Sequence, residues 1–434
     1  MDMQIIRTSA GSQSPPIPSG VPLGVSACAI RRIAASCNEG RSEMKKARGA
    51  VLPASHHGNH PATSRSPTRA PMSTTGELEF KAYAMTDPSA WSDLEVVSFK
   101  PKDLGPEDVE LAVTHCGVCG SDLHVLQQHW GKAAGDKPVI VGHEIVGKVT
   151  RVGERVKGVR PGDRVGVGGG LDSCRECRAC KAGYENYCPR MVITPNAAHY
   201  DGVSTQGGFA TGVRAHESFV FPIPDKVELR HAASMMCAGV TVFNPLRQYG
   251  CAPGKKVGVI GVGGLGHYAI LFAKAMGAEV FAFTRGTAKA DDARKMGADH
   301  VVDTTAEGWW QPYDLTLDII ISTIDRLAPS MTMANLLGML FVHGTFVAVG
   351  LPPLAEPLPP IHPFMLSKNG SSISGTLVGS KSDAQAMLEL VAEKNVVPWI
   401  EELPMSQAKV ALEGLHTGKA RYRYVLTQDI IPVA

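Results

Sequence analysis

The chain has 434 residues, of which 44% are hydrophobic and 19% charged, with a formal net charge of +2. That length holds two domains with real cores, and the near-neutral balance argues against a dedicated nucleic-acid binder, which would carry a strong basic excess. No apolar run is long enough to cross a bilayer, and the ten cysteines are not arranged like a small secreted disulfide scaffold.

Residues 1–75 read as a disordered leader, rich in Ser, Pro, Gly, Ala and Arg and poor in hydrophobic periodicity. Nine basic residues, from Arg7 to Arg69, face only Asp2, Glu39 and Glu43. Such a basic, serine-rich stretch also suits an organelle transit peptide, although Pro15, Pro16, Pro18 and Pro22 break any long amphipathic helix. A third reading is an extended start, because ordered patterning begins directly after Met72-Ser73-Thr74-Thr75. Cys28 and Cys37 lie in this leader and take no role.

From residue 76 the pattern changes. Phe80–Ala84, Leu94–Phe99 and Asp108–Thr114 read as short strands. The third delivers the chain to His115-Cys116-Gly117-Val118-Cys119-Gly120-Ser121-Asp122-Leu123-His124, followed by Gly142-His143-Glu144. A thiol, a hydroxyl, an imidazole and a carboxylate thus fall close together. Cysteine and histidine are preferred zinc ligands, and a catalytic zinc takes three protein ligands plus one open position. Cys119 and His143 supply two; taken singly, each also fits a buried thiol and a satisfied core histidine. Short glycine-punctuated strands continue over 145–153 and 163–167, making this domain β-rich, a partly open barrel.

Cys174, Cys177, Cys180 and Cys188 then follow in C-x2-C-x2-C-x7-C spacing. Four thiolates surround one tetrahedral ion and leave no open position, so a zinc here is structural and orders a long loop. Disulfides are an alternative. An iron–sulfur cluster fits less well, because the last gap is too long for the bacterial ferredoxin run. Cys237 opens a helical pattern; a lone cysteine in an apolar run usually belongs to a core. Cys116 and Cys251 read as buried thiols.

Residues 255–267 form a strand running into Gly261-Val262-Gly263-Gly264-Leu265-Gly266-His267 and then a helix, Tyr268 to Met276. Glycines there let the backbone approach a pyrophosphate, and the helix start offers free N–H groups to it. A bare strand–helix turn is the alternative, but the strand before and helix after are the context that motif requires. The next strand, Glu279–Phe283, ends in Thr284-Arg285-Gly286-Thr287-Ala288-Lys289. An NAD site usually carries an acid at this place for the ribose 2′-hydroxyl. Thr284, Arg285 and Lys289 instead suit a 2′-phosphate, so NADP(H) is expected over NAD(H); an ordinary solvated charge cluster is the other reading. Strands at 299–303, 317–322 and 344–350 continue a doubly wound parallel sheet. One amphipathic helix around 384–394 follows, and Ala420–Leu426 reads as a strand returning to the first domain.

Assembled, these motifs resemble the zinc-dependent medium-chain alcohol dehydrogenases, in particular the cinnamyl alcohol dehydrogenase branch with its NADPH-dependent fungal members. The resemblance covers residues 76–430 and rests on Cys116–His124, Gly142–Glu144, the four-cysteine lobe, Cys237–Val242, Gly261–His267 and Lys419–Val425. It implies a GroES-like catalytic domain and a Rossmann domain, bounded as 76–239, 240–377 and a returning 378–434. It also implies that Cys119, His143 and Cys237 hold a catalytic zinc, with Glu144 behind it and able to coordinate transiently. Ser121 would exchange the alcohol proton and His124 would relay it toward solvent. Gly261, Gly263, Gly264, Leu265 and Gly266 would receive the dinucleotide. The expected protein is cytoplasmic, homodimeric and loaded with two zincs, and it acts on small alcohols and aldehydes. Trp130 is a candidate wall for the substrate. The segments 191–206 and 351–363 depart from the family pattern, which leaves substrate identity open. Rival readings are a polyol dehydrogenase of the same fold and a non-catalytic NADPH- or zinc-binding protein.

Overall fold

A computed structural model describes residues 78–131, 138–353 and 356–431, so the leader lies outside the described residues. Runs rich in β-branched and aromatic residues make one sheet of six parallel strands: β1 Lys256–Ile260, β2 Glu279–Thr284, β3 His300–Asp303, β4 Leu317–Ser322, β5 Leu340–Ala348 and β6 Ser372–Gly375. Their order in space is β3-β2-β1-β4-β5-β6, with every neighbouring pair parallel. Because side chains alternate along a strand, both faces need cover. Val280, Ala282, Ile319 and Ile321 pack under Tyr268, Phe272, Met387 and Leu388 on one face. Phe281, Phe283 and Ile320 pack with Leu336, Leu337 and Phe346 on the other. The order reverses between β1 and β4. In such sheets the crevice beyond the strand ends at the reversal point is where ligands bind, and the glycine turn follows β1.

A second sheet of seven strands carries the other half. Its order runs Ile400–Pro404, Arg423–Thr427, Asp108–Gly117, Ile145–Val152, Arg164–Val167 and Val220–Pro222, with Gly212–His216 also paired to Asp108–Gly117. Most pairs are antiparallel; Ile400–Pro404 and Arg423–Thr427 run parallel. This sheet closes on its own core of Val109, Leu111, Val113, Ile145, Val165, Phe209 and Leu426. The barrel-plus-Rossmann architecture read from the sequence is therefore the one observed. The strand Arg423–Thr427 pairs Val425 with Gly117 and Leu426 with Cys116, which brings the late part of the chain to the first ligand loop. Cys116 and Cys251 are buried free thiols, as expected.

Two differences from the sequence reading fall in the nucleotide sheet. The helix after β1 begins at Gly264 and not at Tyr268, because the glycine turn is itself the helix start. The strand β6 was not expected: Ser372-Ile373-Ser374-Gly375 is too short and polar to alternate visibly, and pairing with β5 makes it a strand.

Close strand pairing on the barrel side depends on Gly147. A Cβ there would lie 2.0 Å from the Ala112 carbonyl oxygen, and backbone cannot yield as a flexible side chain can. Gly147→Ala should therefore lower stability by about 1–3 kcal/mol or more, read as a lower urea midpoint with an unchanged slope. A midpoint equal to wild type would mean that the two strands have room the structure does not show.

Candidate active site

The strand Asp108–Gly117 ends in a loop that starts the helix Gly120–Leu126, with Cys119 as its N-cap residue. Asp122, in the first turn of that helix, is fully buried. One of its carboxylate oxygens accepts the Cys119 N–H at 2.9 Å, and the other accepts the Gly142 N–H at 3.0 Å and meets His143 Nδ1 at 3.0 Å. Asp122 thus fixes the loop and the imidazole together, and leaves His143 Nε2 as the outward donor. Carboxylates that hold the far nitrogen of a ligating histidine orient the ring and raise its basicity.

His143 follows Gly142, whose φ of +99° only glycine adopts readily. A Cβ at Gly142 would also lie 2.6 Å from the Phe209 ring and 2.8 Å from the Cys116 sulfur. Cys237 arrives from elsewhere in the chain, between the short turn Ser234–Met236 and the helix Ala238–Gln248. Ligand atoms of Cys119, His143, Glu144 and Cys237 all lie within 4.8 Å of one another, and all four residues are buried. The Cys237 thiol, donating toward Cys119, holds that thiol well below its ordinary range against the effect of burial. The same bond, with burial, pushes Cys237 up. Burial works against the His143 imidazolium, but Asp122 and the two cysteines outweigh it and raise the histidine. Two soft sulfurs and an imidazole in a dry pocket are a donor set that fits zinc with a position to spare.

Glu144 is fully buried, and both its oxygens accept from Arg423 Nη2, at 2.5 and 2.6 Å. Burial pushes its carboxyl up, and Arg423 pulls against that. The carboxylate sits against the bare backbone of Gly117, where a Cβ would lie 2.0 Å from Glu144 Oε2. Arg423 also lies across the glycine turn, since a Cβ at Gly264 would be 2.7 Å from its Nη1. One guanidinium therefore joins the metal-type cluster to the start of the nucleotide-type helix. Neither Asp122 nor Arg423 was singled out from sequence. Asp122 reads as an ordinary acid in a first helical turn, and Arg423 stands 279 residues from its partner, beyond any local signal.

The glycine turn divides its labour. Gly261 has φ +89° and makes the turn. Among the described residues nothing lies within 4 Å of a Cβ at Gly263, so open space faces it. A Cβ at Gly266 would lie 1.8 Å from the Gly261 carbonyl oxygen, so this position permits the close helix–strand contact. His267, fully buried behind the turn, donates from Nδ1 to the Gly264 carbonyl at 2.7 Å, and burial pushes it down to about 3.

The three residues after β2 do not form one cluster. Thr284 is buried and donates to the Gly286 carbonyl at 2.6 Å. Arg285 is exposed. Lys289 reaches back to the Val262 carbonyl at 2.7 Å and lies 5.3 Å over the Tyr422 ring. Asp303, the acid at the end of β3, is turned to the Gly286 and Thr305 amides. Ser121 Oγ lies 3.8 Å from the Cys119 sulfur. His124 turns to His129, with the two Nδ1 atoms 3.1 Å apart, and its ring stacks on Trp130 at 4.5 Å.

The second cysteine group is self-contained. Four of the six sulfur–sulfur separations among Cys174, Cys177, Cys180 and Cys188 lie at 3.5 to 4.0 Å, and all four sulfurs fall within 4.8 Å of one another. A tetrahedral zinc with bonds of about 2.3 Å to sulfur sets these separations near ~3.8 Å, whereas a disulfide needs about 2.05 Å. Backbone N–H groups of Cys174, Cys177, Cys180 and Arg190 point to these sulfurs at 3.3–3.5 Å, an arrangement suited to thiolates.

Comparison with known proteins matches residues 105–225 to the alcohol dehydrogenase GroES-like domain and residues 264–393 to the zinc-binding dehydrogenase domain. The NADP-dependent alcohol dehydrogenase 6 of Saccharomyces cerevisiae is 39% identical over 352 residues, covering 80% of this chain and 96% of that protein. The chain belongs to the zinc-binding alcohol dehydrogenase family. A probable mannitol dehydrogenase of Fragaria ananassa is likewise 39% identical, over 77% of this chain and 91% of that one. Among solved structures, a cinnamyl alcohol dehydrogenase of Sorghum bicolor superimposes with a TM-score of 0.75 at 37% identity, covering 82% of this chain and 100% of that one. The dehydrogenase's described residues include no helix long and apolar enough to cross a membrane.

Asp122→Asn keeps the shape and removes the charge that holds His143. It should weaken metal retention at the Cys119–His143–Cys237 cluster by about 10–100-fold, while the four-cysteine lobe keeps its ion. Zinc content after graded dialysis against chelator measures this. Equal loss from both clusters, or from neither, would remove Asp122 from its place beside His143.

Proposed function

We propose that the chain is a zinc-dependent NADP(H) alcohol dehydrogenase, or aldehyde reductase, acting on cinnamyl-type aromatic or aliphatic aldehydes and their alcohols. The observation that carries this is the joining, through Arg423, of the buried Cys119–His143–Cys237 set to the Gly264 end of the glycine turn. A polyol dehydrogenase is the second reading, favoured by the mannitol dehydrogenase relative.

Cys119, His143 and Cys237 would hold the catalytic zinc, with Glu144 behind it, and Cys174, Cys177, Cys180 and Cys188 the structural one. When bound, zinc supplies a Lewis acid toward the substrate oxygen, and the nicotinamide supplies or takes the hydride. The protein's own residues do the rest. Ser121, beside Cys119, donates the proton to the new alcohol and accepts it in the reverse direction. His124 carries that proton on toward solvent, with His129 at its far side. Trp130 braces His124 by stacking, which suits a fixed relay better than a free substrate wall. Gly263 leaves room for the pyrophosphate at a helix start, and Gly261, Gly264, Leu265 and Gly266 complete the turn. Thr284, Arg285 and Lys289 take the 2′-phosphate, Arg285 from the exposed rim and Lys289 from the glycine turn.

The eight described cysteines are all free thiols, which supports a reducing compartment such as the cytoplasm. The outer side of β6 ends the sheet order among the described residues, which supports pairing of two copies into a homodimer.

The direct test is zinc content together with NADPH oxidation on cinnamaldehyde, and NADH and mannitol for comparison. Two zincs per chain and NADPH-selective reduction are expected. Cys119→Ser should abolish turnover while NADPH binding persists, and normal turnover of that variant would sink the site. Arg285→Ala should cut the NADPH-over-NADH preference by about 10–100-fold, the loss expected from one charge-assisted contact. An unchanged preference would take the phosphate away from Arg285.

A further inference from the structure

The four-cysteine lobe does more than close on itself. Between Cys180 and Cys188 it presents Glu185, Asn186 and Tyr187, and all three hold one segment of the nucleotide half. Asn186 Nδ2 donates to the Leu377 carbonyl at 2.8 Å. The Leu377 N–H donates to the Tyr187 hydroxyl at 3.4 Å, and the Lys381 N–H to Glu185 Oε1 at 2.5 Å. This segment, 376–380, is the crossover between β6 and the helix Lys381–Lys394.

Its other side is held by the helix that follows Cys237. Asn244 Nδ2 donates to the Val378 carbonyl at 2.9 Å and to Thr376 Oγ1 at 3.1 Å. A Cβ at Gly379 would lie 2.6 Å from Val240 Cγ2. Within this grip Val378 stands at φ +45°, a conformation that a β-branched residue adopts only when its surroundings impose it. Asn186 is 2% exposed, and its Oδ1 finds no partner among the described residues. A buried amide satisfied at one end only is costly, so its retention calls for a use of the other end.

We propose that Asn186 is a positioning residue for the dinucleotide cleft. With Glu185 and Tyr187 it pins the crossover from 376 to the helix start at Lys381, which leaves β6 at the same end of the parallel sheet as the glycine turn leaves β1, against the cysteine lobe and the helix after Cys237. The role rests on the dehydrogenase function, because it matters only if a dinucleotide enters that cleft. A loosened crossover costs cofactor affinity and leaves the reacting groups in place.

The test uses the full chain with Asn186→Ala and the nearly isosteric Asn186→Leu. Zinc content should stay at the wild-type value in both. The dissociation constant and KM for NADPH should rise about tenfold, as for one lost buried hydrogen bond, with kcat within twofold. Hydrogen exchange of a peptide spanning 376–381 should quicken in both variants, while β1 and β4 exchange as in wild type. NADPH affinity within twofold of wild type in both variants, or unchanged exchange at 376–381, would overturn the positioning role alone. A wild-type chain that bound no NADPH would overturn the dehydrogenase function as well, so the two failures are distinguishable.

Discussion

A single buried ion pair organises the centre of this molecule. Glu144 and Arg423 are both almost completely removed from water, and Arg423 Nη2 is shared by both carboxylate oxygens. Neither charge is tolerable there alone; removing one partner of such a pair typically costs about 3–5 kcal/mol. The pair therefore demands that three distant pieces of chain meet: the ligand loop after Asp108–Gly117, the strand Arg423–Thr427 and the start of the helix after β1. Gly117 and Gly264 carry no side chain because those two groups lie against their backbone. Two glycines in unrelated motifs thus answer to the same interaction.

What the sequence made legible is what lies within one short window. The four-cysteine lobe spans Cys174 to Cys188, and its spacing suits a closed tetrahedral site, which the sulfur separations match better than a disulfide. The glycine turn is legible for the same reason, and the structure assigns each glycine a different task. Alternating apolar runs mark many of the strands of both sheets, but not β6, whose serines hide it, nor the short Gly212–His216, Val220–Pro222 and Ile400–Pro404. Cys237 was different in kind. Nothing around it separates a ligand from a core thiol, and only family resemblance marked it, because its neighbours Cys119 and His143 become neighbours through folding. Asp122 and Arg423 were missed on the same ground. Their chemistry is set by partners that are adjacent only in space. Thr284, Arg285 and Lys289 show the converse: close in sequence, they turn to three different surroundings.

The two sulfur clusters consequently stand on different footings. The lobe draws its N–H donors from its own backbone, so its ligands are ordered locally. The Cys119–His143–Cys237 cluster is ordered by Asp122 and by the arrival of Cys237 from a distant part of the chain. Where the lobe reaches out, through Glu185, Asn186 and Tyr187, it touches the crossover between β6 and the helix Lys381–Lys394 in the nucleotide half. The locally rigid site is thereby placed to steady the globally assembled one.

The separation of 279 residues between Glu144 and Arg423 also has a temporal meaning. A chain leaving the ribosome presents Glu144 long before its counter-charge exists, and domains tend to fold as they emerge. Until Arg423 is synthesised, the Asp108–Gly117 strand has an open edge where Arg423–Thr427 will pair, and the carboxylate must stay hydrated. A message cut short just before this strand would yield a product bearing both cysteine clusters and the glycine turn, yet with a charge it cannot bury and an edge it cannot close. Quality-control machinery that recognises exposed strand edges would meet such a product first.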